Sequence, residues 1–185
     1  TPGGADGAVG GGILDLFAHG YFERQGDLYN APQAPTSYAS PTGLTATGGV
    51  ISDYTTPPDG KVYRAHVFTA SGSFDVSAIG DFPAAVEYLV VAGGGGGGAK
   101  DCGGGGGAGG LRTNLSGHPL AGSAFPVSTS PGSYTVTVGG GGVGGKHPVT
   151  SLNGVDSAFG PITSHGGGRG GSNYSDGGGD GGSGG

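Results

Sequence analysis

From residue 93 onward the chain is dominated by runs of glycine, and this limits its possible folds more than any other feature. The runs are 93–98, 103–107, 139–142, 166–168 and 177–179. Residues 93–185 hold 36 of the 50 glycines, and residues 1–92 hold 14. Glycine has no side chain to bury. Fixing one residue costs about 1–2 kcal/mol, and glycine sits at the upper end of that range. Such runs are flexible linkers unless the backbone itself supplies the compensating bonds. The extended left-handed three-residue helix, rising about 3.1 Å per residue, lets glycine do this. Without side chains these helices approach closely, and each residue can donate to and accept from a neighbour. A glycine sheet is the rival arrangement, but interior glycine weakens strands. The expected domain is therefore a lattice of packed polyglycine-II-type helices with a few strands.

Composition closes off several functions. Thirteen acids against seven bases give a net charge of −6. No basic patch exists to neutralise phosphates, so nucleic acid is not an expected partner. No stretch approaches the ~18 apolar residues of a membrane helix, so membrane insertion is not expected. One cysteine makes no internal disulfide framework. Glycine does not recur at every third position of the sequence, which excludes a collagen triple helix. The chain has no methionine, starts Thr1-Pro2-Gly3 and ends Gly-Gly-Ser-Gly-Gly. We read it as part of a longer protein, so the absence of a signal peptide carries no weight.

Ahead of the glycine runs the sequence divides again. Residues 1–12 are glycine-rich. Residues 13–30 carry an apolar cluster interrupted by Gly20, a short helix or an irregular packing segment. Residues 31–47 contain Pro32, Pro35 and Pro41 among small polar residues and read as an extended linker. Residues 1–47 thus form a glycine- and proline-rich attachment segment. Residues 48–92 form a small antiparallel β segment, and residues 93–185 the glycine-rich lattice domain. Val50 to Tyr54 is a short strand, and Pro57-Pro58-Asp59-Gly60 a turn. Val62, Arg64, His66 and Phe68 alternate with Tyr63, Ala65 and Val67. Phe74, Val76 and Ala78 line one face of the next strand. The continuous run from Val86 to Ala92 suits a strand buried on both faces. Ser133 to Val138 is the clear strand of the second half, and 111–115 and 159–163 are weaker candidates. The fold class expected is all-β and irregular.

The motifs for chemistry are weak. Glycine runs match G-x-G-x-x-G automatically, but no helix-forming sequence follows 93–98. A Walker-type Gly-Lys-Ser/Thr is absent. Cys102 has His118 as its nearest activating base in sequence, and it reads more simply as an unpaired thiol in a turn. His19, His66, His118, His147 and His165 show no paired metal spacing. Asp176 and Asp180 are too few alone for calcium. Asn114 and Asn173 head glycosylation sequons that matter only in a secretory pathway. No catalytic residue, cofactor or metal is assigned, and the chain does not read as an enzyme. Tyr63, Phe74, Tyr88 and Tyr134 read as strand-packing residues. Phe125 and Tyr174, in irregular stretches, are candidates for stacking on glycans.

Four blocks resemble a known family. Ser73-Phe74-Asp75-Val76 precedes Val86-Glu87-Tyr88-Leu89-Val90-Val91-Ala92 and the run 93–98. Gly105-Gly106-Gly107-Ala108-Gly109-Gly110-Leu111-Arg112 follows. Then come Pro131-Gly132-Ser133-Tyr134-Thr135-Val136-Thr137-Val138 with 139–145, and Asp156-Ser157-Ala158-Phe159-Gly160-Pro161-Ile162 with 166–168. Their order and spacing over about residues 73–171 resemble the glycine-rich domain of bacteriophage tail fibres and related virion appendage proteins. Residues 48–54 and 63–68 resemble a segment that precedes this domain in marine phage structural proteins. The resemblance implies a non-enzymatic virion protein in a tail fibre or similar appendage, contributing to host attachment. It implies a homotrimer among other virion proteins, assembled in the host cytoplasm and placed on the particle surface. The receptor would be a host-surface glycan or outer-membrane protein. The sequence departs from the family at 99–102 and 116–130, where inserts map to exposed turns. Lys100, Asp101, His118, Phe125 and Tyr174 are the candidate receptor or glycan contacts. The alternatives are a capsid-surface or head-fibre decoration protein, and a cellular extracellular glycine-rich filament or adhesin. An ice-binding lattice fits less well, because residues 93–185 lack regular Thr or Ala repeats.

Overall fold

Apolar alternation sets the strands, and glycine spacing sets everything between them. In the computed structural model, residues 41–56, 60–99, 102–172 and 177–182 are described. The expectations for residues 1–40 lie outside them. Among the described residues every regular element is a β-strand, and the fold is all-β. The strands are β1 (Thr45–Thr47), β2 (Val50–Thr56), β3 (Lys61–Val67), β4 (Gly72–Ala78), β5 (Ala85–Val86) and β6 (Leu89–Val91). They continue with β7 (Leu111–Thr113), β8 (Phe125–Pro126), β9 (Ser133–Thr137), β10 (Ser157–Phe159) and β11 (Ile162–Ser164).

Five of them form an antiparallel sheet in the order β1-β4-β9-β10-β11. Ala46 lies opposite Val76, Phe74 opposite Tyr134, and Val136 opposite Phe159. These residues share the apolar face of the sheet. Ala46, Phe74, Val76, Val127 and Val136 form the buried core, with Val86, Phe125, Tyr134 and Phe159 packed against it. The rings meet edge to face: Phe125 and Phe159 at 4.9 Å, Phe125 and Tyr134 at 5.4 Å, Phe74 and Phe159 at 5.8 Å. Strands from both sides of residue 92 pair with each other, β4 with β9 and β6 with β7.

Two short strands were not visible in the sequence. β1 lies in the expected linker, and β8 in the expected insert. The run 86–92 is not one strand buried on both faces. β5 pairs with β8 and β6 with β7, so its two halves have different partners. Between them the Tyr88 N–H donates to Asn114 Oδ1 at 2.8 Å instead of to a strand. Leu89 and Val91 are exposed. The candidate 159–163 is the tight hairpin of β10 and β11, turning at Gly160 with φ +53°.

The glycine-rich runs pack side by side through backbone hydrogen bonds that recur at every third residue. The run 93–98 donates from Gly95 to Gly107 and from Gly98 to Gly104, both at 2.8 Å. It donates from Gly93 to Val155 at 3.1 Å and from Gly96 to Leu152 at 2.9 Å. It accepts at Gly94 from Gly142 and at Gly97 from Gly145. It accepts again at Gly93 from Gly167 and at Gly96 from Gly170. Four neighbouring runs therefore bond to one central run. The run 166–171 is a second hub. It accepts from Gly107 and Gly104 at Gly168 and Gly171, from Gly154 at Gly167, and from Gly179 and Gly182 at Arg169 and Gly166.

Close approach explains why glycine is needed at some positions and not others. A Cβ at Gly95 would overlap the Gly168 carbonyl, and one at Gly96 the Val143 carbonyl. A Cβ at Gly94 would lie 3.5 Å from Gly107 O, and one at Gly97 3.7 Å from Gly104 O, both ordinary contacts. The open positions are three residues apart, as the hydrogen bonds are.

Polar side chains tie the lattice to the sheet. Ser157 Oγ accepts from Gly139 N at 2.9 Å, and the buried Ser151 Oγ donates to Gly170 O at 2.7 Å. Asp156 Oδ1 accepts from Gly166 N at 2.8 Å, and its Oδ2 lies 3.1 Å from His165 Nδ1. The Gly166 N–H, and then His165, hold the Asp156 carboxyl below its ordinary value of 3.8.

Three substitutions test this packing in denaturation experiments. Gly95→Ala should destabilise by about 3 kcal/mol or more, because neither backbone can yield. Gly94→Ala should be neutral or stabilising by up to about 1 kcal/mol, by restricting the unfolded chain. Because the folded-state pKa of Asp156 is lowered, its contribution is complete above the ordinary carboxylate range and is lost as pH falls through the lowered value. Thermal melts should therefore show less loss of stability in acid for Asp156→Asn than for the wild type.

Candidate recognition surface

Chain direction in the lattice decides which turns meet. Paired donors and acceptors that advance together mark parallel runs, and those that advance oppositely mark antiparallel ones. By this rule 139–145 and 166–171 run parallel to 93–98. The runs 104–110, 150–155 and 177–182 run the other way. Runs 93–98, 139–145 and 166–171 leave from β6, β9 and β11, and runs 104–110 and 150–155 return to β7 and β10. The sheet therefore stands at one end of the lattice. Of the links 99–103, 146–149 and 172–176, the described residues Ala99, Cys102, Gly103, 146–149 and Ser172 stand at the other end.

The described parts of these links are tied together. Ala99 N donates to Ser172 Oγ at 2.8 Å, which joins the first link to the third. Gly145 sits so close that a Cβ there would lie 2.8 Å from Ala99 N, which joins the second link to the first. The second link closes on itself, with Lys146 N bonded to Val149 O at 2.9 Å and Val149 N to Lys146 O at 2.5 Å. Its tip is His147-Pro148, and Lys146 and His147 are exposed. Cys102 is an exposed free thiol on the first link. Lys100, Asp101 and Tyr174 belong by sequence to the first and third links but lie outside the described residues. So do Asn173 and Asp176.

The other two candidates are on the strand side. His118 is exposed in the turn after β7. That turn is built by Leu120 N donating to His118 Nδ1 at 3.1 Å, Ala121 N to His118 O at 2.9 Å, and Gly122 N to Thr113 O at 2.8 Å. Gly117, at φ +87°, permits the reversal. The turn presents Leu115 and Leu120 to solvent. Phe125 is half-buried on β8, with its ring against Tyr134 and Phe159. Both described candidates, His118 and Phe125, thus stand on the strand side.

Lys146 and His147 were not among the contact candidates read from the sequence, although the signal was present. Each link at the far end is a non-glycine break between two glycine-rich runs, and 146–149 follows that rule as well as 99–102 does. Among the described residues no cluster of three or more His, Cys, Asp or Glu side chains could hold a metal ion. No helix among them is long and apolar enough to cross a membrane.

No curated protein and no solved structure matches the chain. A family model described as a glycine-rich domain matches residues 69–185, a span that takes in β4, the whole lattice and both of its ends, and the chain belongs to that family.

Proposed function

We propose that the glycine runs are polyglycine-II-type helices, and that their lattice is a rigid, non-enzymatic support for the links at its far end. The observation that carries this reading is the period-three hydrogen bonding, with Ala99, the turn 146–149 and Ser172 gathered at the end away from the sheet. A three-residue repeat returns each third N–H to the same neighbour, as a polyglycine-II helix does. Rigid scaffolds that present irregular loops are a common way to build binding surfaces.

With the block order of residues 73–171, the reading becomes a virion structural protein of a phage tail fibre or similar appendage. It contributes to host attachment as a homotrimer among other virion proteins, on the surface of a particle assembled in the host cytoplasm. Its contact residues would be Lys146 and His147 at the far end, together with Lys100, Asp101 and Tyr174, which are proposed from the sequence. His118 and Phe125 would belong to a separate surface on the strand side. The partner would be a host-surface glycan or outer-membrane protein. The cellular alternative, a glycosylated filament or adhesin, would use Asn114, whose Oδ1 already accepts the Tyr88 N–H.

Immunogold electron microscopy on native particles, with an antibody against residues 93–185, tests the assignment. Label at the distal ends of tail fibres is expected. Label over the capsid, or along a filament of cellular origin, would overturn host recognition and leave a decorative or structural role.

A further inference from the structure

β2 and β3 pair over seven residues and with no third strand among the described residues. A ribbon of two strands is marginal in water unless a third strand or a packed face supports it. The root of this one is anchored. His66 Nδ1 lies 2.7 Å from Gly48 O, and its ring stands edge-on to Phe74 at 5.0 Å. Away from the root the side chains are open. Val62 is 71 % exposed, and the stacked rings of Tyr54 and Tyr63, 5.5 Å apart, also face solvent; at the root end Val50 is 67 % exposed. Long exposed edges with apolar side chains are places where another strand adds.

The charge pattern selects the strand that fits. Asp53 is the fourth of seven residues in β2, and Arg64 the fourth of seven in β3. They face each other across the hairpin, with Nε to Oδ1 at 2.7 Å and Nη2 to Oδ2 at 2.8 Å. Full-length antiparallel pairing of β2 with β2 of another copy would set Asp53 against Asp53. Pairing β3 with β3 would set Arg64 against Arg64. Like charges directly opposite destabilise a ladder. Pairing β2 of one copy with β3 of another repeats the hairpin's own register: Val50 opposite Val67, Asp53 opposite Arg64, Tyr54 opposite Tyr63. Each hairpin offers one edge of each kind, so the contact is head to tail and can close into a ring.

We propose that the β2–β3 hairpin is a self-assembly element, in which β2 of one copy adds antiparallel to β3 of the next with Asp53 facing Arg64. Acid and base then alternate along the shared sheet, and each Arg64 lies between two carboxylates. The inference goes beyond the virion reading and stands whatever particle or filament carries the chain.

The test uses the full chain with Cys102→Ser as background. Ser52→Cys protein is mixed with Ala65→Cys protein, and Thr55→Cys protein with Val62→Cys protein. These two register positions differ in parity. One of them is therefore a non-hydrogen-bonded pair, whose Cα atoms are about 4.5 Å apart and within disulfide reach. Sedimentation velocity of the unmodified chain at micromolar concentration should show an oligomer. Oxidation of at least one mixture should give an interchain disulfide that neither of its component proteins forms alone. A monomer, with the edges covered by the chain's own residues 1–40 or left open, would overturn the proposal. So would an oligomer in which neither mixture cross-links, or one in which Ser52→Cys protein links to itself.

Discussion

A backbone hydrogen bond at every third residue is the interaction on which the lattice depends. It needs neighbouring chains close enough for carbonyls to sit where a Cβ would otherwise be. That excludes side chains at positions such as Gly95, Gly96 and Gly98. The same geometry admits larger residues on the outer runs. Val143, Leu152 and Val155 occur there, and all three project into solvent. Glycine richness is therefore a packing requirement at particular positions, and the interruptions fall where the lattice has an outer side.

Hydrogen bonding alone leaves such a lattice near balance. A net hydrogen bond contributes about 0.5–1.5 kcal/mol, similar to the roughly 1–2 kcal/mol lost on fixing a residue. The apolar core beside β4, β9 and β10 supplies what the glycines do not. It also fixes where runs begin and end, since β6, β9 and β11 lead into the lattice and β7 and β10 receive the chain from it. Ser157 and Asp156 secure the junction by accepting lattice N–H groups beside the sheet. Sheet and lattice are thus parts of one structure, with strands on either side of residue 92 paired to each other. In the functional reading, the core fixes one end so that the links at the other can differ without disturbing what holds them.

Much of the strand pattern was legible. Period-two alternation marked β3 and β4, and the β-rich segments 50–54 and 133–138 marked β2 and β9, because each of these is long enough to carry a strand pattern. β1 and β8 are three and two residues long and carry no period to detect. The run 86–92 looked like one strand because its residues are uniformly apolar, but apolarity does not say which partner each half will take. Glycine content likewise announced the lattice region, while the number of neighbours around each run depended on contacts between distant residues. Of the candidate surface, the breaks in the glycine runs pointed to the first and third links. The turn at Lys146 and His147 escaped notice because nothing local joins it to residues 99–103, some 45 positions earlier.

The sequence by itself determined the glycine-rich character of the second half, the absence of a disulfide framework, and the longer strands. These follow from composition and local periodicity, which one segment carries alone. Only the tertiary structure decided that β4 and β9 share a sheet and that run 93–98 has four bonded neighbours. It alone decided that Ala99, Gly145 and Ser172, far apart in sequence, meet at one end. Those outcomes rest on the direction and spacing of backbone hydrogen bonds, and a run of identical glycines carries no local mark of which neighbour it will bond.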